Sequence, residues 1–211
     1  MTLFTDKAPW VMNLLRADFN LTVEEAAAIL GNIGHECAGF AKFQEQKPTV
    51  KGSRGGFGWC QWTAGRRVAF EAYCKRNKLD PMSDEANYGF LFTELKGTEK
   101  AAIPAIKKAT GLEGKVAAFE RSFERAGVIN MPSRMRYANQ ALAAWKIKQD
   151  ARPPYPVAPV PATKPVTPPP LPGAQPGSAP ADPGPTRAEN AQVAAPGWLA
   201  RFFLWLSGRS A

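Results

Sequence analysis

Thr22-Val-Glu-Glu-Ala-Ala-Ala-Ile-Leu-Gly-Asn-Ile-Gly-His-Glu-Cys-Ala-Gly-Phe40 is the stretch on which the fold turns. Thr22 and Glu25 have the spacing of a capping box, in which each side chain takes the other residue's backbone N–H and a helix begins. Val23, Ala26, Ala27 and Leu30 then recur at helical spacing. Measured from Val23 at ~100° per residue, Ile29 falls at about 240°, Ile33 at about 280°, Glu36 at about 220° and Phe40 at about 260°. These four form one stripe beside the main apolar face. Glu36 is thus read as a carboxyl among apolar neighbours, near the end of its helix. Desolvation and the C-terminal end of the helix dipole both oppose negative charge there. A carboxyl that keeps its proton is what a general acid needs.

Outward from this helix, residues 1–150 read as a mostly α-helical domain. Residues 9–19 predict a helix carrying Trp10, Met12, Leu14 and Leu15, and residues 66–77 predict another with Phe70, Tyr73 and Cys74 near one face. Ser83 caps a further helix with Tyr88, Leu91, Phe92 and Leu95. Residues 98–109 follow, shortened or kinked by Pro104. Leu112, Val116, Phe119 and Phe123 mark the next helix. Pro132 opens the last, which runs to about residue 149. The exception is residues 41–63. Gly52, Gly55, Gly56 and Gly58 break any helix there, and Phe57, Trp59 and Trp62 interleave with them. A small Gly-rich hairpin or loop carrying exposed aromatics is expected, shaping a groove for a flat-faced ligand such as a sugar or a base.

Composition divides the chain. It has 211 residues and 20 prolines, of which 15 lie in residues 152–196. A packed core does not absorb that density, because each proline removes a backbone donor and fixes φ. Residues 151–196 therefore read as a disordered Pro/Ala-rich linker, and residues 197–211 as a short amphipathic C-terminal helix. That tail holds Trp198, Phe202, Phe203, Trp205 and Leu206 beside Arg201 and Arg209. It is too short to span a bilayer and suits contact with an anionic membrane surface, made between Trp198 and Leu206. The net charge of +9 favours an anionic partner. Cys37, Cys60 and Cys74 make no disulfide framework and read as small core residues. No metal or other cofactor is expected. There is no CxxC, and an HExxH site would need a second His where Gly39 stands. The N-terminus lacks a secretory signal, so a product made in the cytoplasm and reaching its target by other means is expected.

Four ordered segments resemble phage tail lysozyme domains. Gly31-Asn-Ile-Gly-His-Glu-Cys-Ala-Gly-Phe40 resembles their GNxxHES-GF segment. Gly58-Trp-Cys-Gln-Trp-Thr63, followed by Gly65-Arg-Arg67, resembles GxxQWT. Phe90-Leu-Phe-Thr-Glu-Leu95 resembles FLxxEL. Phe119-Glu-Arg-Ser-Phe-Glu-Arg125 with Pro132-Ser-Arg-Met-Arg-Tyr-Ala138 resembles the closing segment. The likeness covers about residues 9–145 and places the domain in the wider lysozyme-like group with lytic transglycosylases and goose-type lysozymes. It implies a mostly α fold with a cleft beside a Gly-rich hairpin. It also implies a phage- or prophage-derived enzyme that cleaves the β-1,4 bond between N-acetylmuramic acid and N-acetylglucosamine in peptidoglycan, released to the wall or carried on the virion.

By that resemblance Glu36 takes the place of the catalytic glutamate. Gln61 matches the cleft glutamine, with Trp62 and Thr63 beside it. Phe57 belongs to the glycan-binding loop, and Tyr137 stands near the tyrosine of an AYN-like segment. Cys37 replaces the usual serine. Glu45, nine residues after Glu36, is the candidate second carboxylate, as in small phage-type lysozymes. Without it, assistance from the substrate itself would give a lytic transglycosylase and an anhydro-sugar. The rival of another class is a non-catalytic module binding cell wall or nucleic acid. It explains the charge and the aromatics but not Glu36 on its stripe, so peptidoglycan is the expected partner, with no specific nucleic acid. A monomer is expected.

Overall fold

The computed structural model describes residues 2–48, 50 and 52–150. They form α1 (Leu3–Phe19), α2 (Val23–Glu36), α3 (Ala64–Asn77), α4 (Asp84–Lys96), α5 (Ala102–Lys108), α6 (Gly111–Phe119) and α7 (Met131–Asp150), and a π-helical turn, Glu120–Glu124, extends α6. Among the described residues there is no β-strand. The mostly α reading therefore holds, and α2 begins as its sequence requires: Thr22 Oγ1 accepts from the Glu25 N–H at 3.2 Å and Glu25 Oε2 accepts from the Thr22 N–H at 2.8 Å.

Two helices differ from the periodicity reading. α1 starts at Leu3, because Thr2 and Thr5 form a capping box of their own. Pro9 is thus interior and buried. The lost backbone bond is offset by burial of Phe4, Ala8, Val11, Met12 and Leu15 along the same helix. α5 starts at Ala102, which leaves Pro104 in the first turn, where an N–H has no intrahelical partner to lose.

α2 is the central element. Residues 25–34 are all buried, and the helix packs against α1, α6 and most extensively α7. Glycines make the α7 approach possible. A Cβ on Gly31 would lie 2.7 Å from the Arg134 carbonyl oxygen and 2.8 Å from Ala138 Cβ. One on Gly34 would lie 2.6 Å from Tyr137 Cγ. Neither position has room for a side chain, so α7 lies directly on the α2 backbone and brings Arg134 beside the end of α2.

The segment 41–63 is a loop stitched by isolated bridges, Gln44 to Phe57 and Phe57 to Trp62, and not a hairpin with strands. Gly55 and Gly58 have φ of 72° and 80°, a region that favours glycine.

The expected membrane contact is withdrawn. No helix among the described residues is long and apolar enough to cross a membrane. The tail segment 198–206 invoked for that contact lies outside the described residues, as do the linker 151–196 and the rest of the tail 197–211.

Candidate active site

Glu36 is the last residue of α2, with its side chain 20% exposed. Its Oε1 accepts from an Arg134 terminal nitrogen at 2.7 Å. This corrects the sequence expectation of an apolar setting. Helical angle alone placed Glu36 with Ile29, Ile33 and Phe40, but the carboxyl at the helix end is met by a guanidinium from α7. Arg134 is itself fully buried and also donates to Asn32 Oδ1 at 3.0 Å. Asn32, wholly buried, donates to the Ala28 and Val116 carbonyls at 3.0 and 3.1 Å. A chain of hydrogen bonds from α6 through α2 thus fixes the arginine that orients Glu36. His35 bonds through Nδ1 to Ser133 Oγ at 3.0 Å. Burial first, and then Arg134, lowers its pKa, which favours the neutral ring. The Cys37 thiol donates to the Ile33 carbonyl at 3.0 Å and accepts from the Phe40 N–H at 3.2 Å. It makes no bond to Glu36, and burial pushes it up to about 12.

A second carboxyl shares this electrostatic neighbourhood. Glu124 ends the π turn, and its Oε1 is sealed from solvent with no hydrogen-bond partner. Burial, followed by the charge of Glu36, pushes Glu124 well above the usual carboxylate range, against the pull of Arg66 and Arg134. Arg66 is engaged elsewhere. It grips both oxygens of the buried Glu94, at 2.7 and 2.8 Å, and lies over the Phe123 ring.

The remaining residues named from sequence divide. Trp62 is 1% exposed, so its assignment to glycan binding is corrected. Its indole packs on Phe70 and Phe90 and its Nε1 donates to Glu94 Oε2 at 2.7 Å. Trp59 is wholly buried against Phe40. These aromatics close the core, because a buried indole here finds both rings to pack on and, for Trp62, a carboxylate to donate to. Phe57 is half-buried, beneath Arg67 and beside Phe70. Gln61 uses its amide N–H groups on the Phe43 and Gly58 carbonyls at 3.1 and 2.8 Å, inside the loop. Thr63 is exposed. Glu45 pairs its backbone and its carboxylate with the same glycine: its N–H donates to the Gly56 carbonyl at 2.9 Å and Oε2 accepts from the Gly56 N–H at 2.8 Å.

Two cavities flank these residues. One of about 620 Å³ is lined by Glu45, Arg54, Gly55, Thr63 and Arg67. Another of about 370 Å³ is lined by Phe4, Gly39, Arg136 and Tyr137. Glu36 lines neither, and Tyr137 and Glu45 face different cavities. Arg134 is the site residue that sequence reading passed over. It stands inside a motif segment quoted above, but periodicity carries no sign that it reaches Glu36.

None of the curated proteins or solved structures compared with the chain matches it significantly. A family model described as phage tail lysozyme matches residues 6–145, which spans α1 to most of α7 and takes in Glu36, Arg134 and Glu124. The chain belongs to the phage tail lysozyme family.

Proposed function

We propose that this chain is a peptidoglycan-degrading glycosidase, with residues 1–150 as its catalytic unit. It cleaves the β-1,4 bond between N-acetylmuramic acid and N-acetylglucosamine, and Glu36 delivers the proton to the glycosidic oxygen. The observation that carries this reading is Glu36 itself: a partly exposed carboxyl at the end of a largely buried helix, aimed by a fully buried arginine. Functional carboxyls need such fixed orientation, and a guanidinium on a rigid helix supplies it. Family membership supports the substrate class. The net charge of +9 suits an anionic cell wall.

Glu36→Gln keeps the side chain's size and removes its proton. Its rate of clearing purified peptidoglycan falls at least about 10²-fold, the scale of a general acid. Clearance at the wild-type rate refutes the reading. Mass spectrometry of the released muropeptides tells hydrolysis, which leaves a reducing sugar, from transglycosylation, which leaves an anhydro-sugar.

A further inference from the structure

Beyond the end of α2 lies a cavity of about 370 Å³, within the size range of ligand pockets. Three segments line it: Phe4 of α1, Ala38 and Gly39 just after α2, and Arg136, Tyr137 and Gln140 of α7. Ala38 is two residues past Glu36, and two residues of chain span at most about 7 Å, a distance that one sugar residue covers. The lining is fixed in place. The Gly39 N–H donates to the Gly34 carbonyl at 2.8 Å, and a Cβ on Gly39 would lie 3.1 Å from Phe4 Cβ and from Tyr137 Cε1. Tyr137 meets the Phe4 ring edge-on, with centroids 4.9 Å apart. The Arg136 guanidinium lies over the Tyr137 ring at 5.0 Å, with a terminal nitrogen 3.4 Å from Ser133 Oγ. Residues two apart on a helix point different ways, so Arg134 turns inward to Glu36 while Arg136 stands exposed at the cavity. Arg134 spends its charge on Glu36, whereas Arg136 forms no ion pair among the described residues, and no Asp or Glu lines this cavity. The result is a planar fork of N–H donors, steadied by an aromatic ring and open to an incoming carboxylate.

We propose that this cavity is a muramic acid subsite, and that Arg136 determines specificity there by binding a carboxylate carried on that sugar's lactyl arm. The inference rests on the reading of peptidoglycan as the glycan cut at Glu36, and it names the feature of that glycan which is recognised. Every second sugar of the strand is N-acetylmuramic acid. Its lactyl group ends in a carboxylate, either free or extended by a peptide that carries carboxylates of its own. Arginine binds a carboxylate through two parallel N–H···O bonds, and the stacking on Tyr137 holds the fork ready for them. Phe4 and Tyr137 give the sugar an apolar surface, and the Gln140 amide offers a partner for a hydroxyl. A strand of N-acetylglucosamine alone has the same β-1,4 linkage but no carboxylate, so it leaves Arg136 unpaired. Arg136 binds and selects; it moves no proton, and no covalent bond changes at this subsite.

The test is steady-state cleavage by the full chain, wild type and Arg136→Ala, on soluble glycan strands of two kinds: peptide-bearing, and stripped of peptide by an amidase. Each kind is used with its carboxyls intact and with them converted to neutral amides. With intact carboxyls Arg136→Ala raises KM at least about tenfold, the scale of a lost charged hydrogen bond, while kcat stays within about threefold. On amidated strands wild type and variant agree, because the group that Arg136 binds is gone. Dependence on Arg136 with stripped strands assigns the lactyl carboxylate, and dependence with peptide-bearing strands alone assigns a peptide carboxylate. A merely structural loss would carry over to the amidated strands. Arg136→Ala equal to wild type on every strand, or losing as much on amidated strands as on intact ones, overturns the proposal. The wild type alone also decides: a KM that does not rise on amidation of either kind of strand overturns it without any variant. An active Glu36→Gln instead overturns the reading on which the proposal rests and leaves the Arg136 comparison untouched.

Discussion

Arg134 shows how much one side chain settles. It has no exposed surface, and it reaches Asn32 and Glu36 from a helix far along the chain. A buried guanidinium is tolerated only when its charge is paired. The pairing with Glu36 is therefore as much a requirement of the arginine as of the glutamate. Glu45 is the contrasting case. Its nine-residue spacing from Glu36 made it a candidate second carboxylate. In the fold its Oε2 accepts from the Gly56 N–H and holds the loop. Glu45→Gln keeps an oxygen for that bond, so its activity on peptidoglycan stays within about threefold of wild type. A loss of 10²-fold or more, the scale of lost acid–base chemistry, would give Glu45 a part in catalysis instead. At this scale Glu36 was legible from its motif, while its environment was not. Helical periodicity describes the helix that a residue sits on and carries no information about what packs against that helix's end.

α2 and α7 carry the site between them. Their contact depends on Gly31 and Gly34, where any Cβ would overlap α7. Gly31→Ala pushes against a backbone oxygen at 2.7 Å, which cannot rotate away as a side chain would. Overpacking of this kind costs about 1–3 kcal/mol. Urea denaturation reads the loss, and the displaced Arg134 lowers activity beyond what stability alone explains. Unchanged stability would show that α7 does not approach as closely as described. The capping box of α2 and the cap of α4 were legible because they are local: Thr22 with Glu25, and Ser83 with Ala86, lie within one turn. The loop 41–63 was legible as glycine-broken chain but not as a closure of the core. Trp62 is buried by Phe70 and Phe90, and those partners lie on two other helices. The same residues in a loop without that aromatic cluster beneath would remain at the surface.

Across the whole molecule, Glu124 couples stability to pH. Its folded-state pKa is raised above the ordinary 4.5. Between those two values the folded chain binds a proton that the unfolded chain has released. The stability contributed by this group is therefore full below about pH 4.5 and is lost as pH rises toward the folded pKa, with a slope of at most about 1.4 kcal/mol per pH unit. Comparison of wild type with Glu124→Gln isolates the term. The difference in unfolding free energy shifts in favour of the variant as pH rises from about 5 to 8. A difference that does not vary with pH would mean that Glu124 is ionised in the fold. The sequence by itself determined the mostly helical character, the capped starts of the helices at Val23 and Asp84, the break at residues 41–63 and the carboxyl at position 36. Each of these depends on spacing, capping or backbone chemistry within a short span of chain. Only the tertiary structure decided that Arg134 meets Glu36 and that Trp59 and Trp62 are interior. Those are contacts between segments remote in sequence, and burial and electrostatics there are set by what the fold brings together.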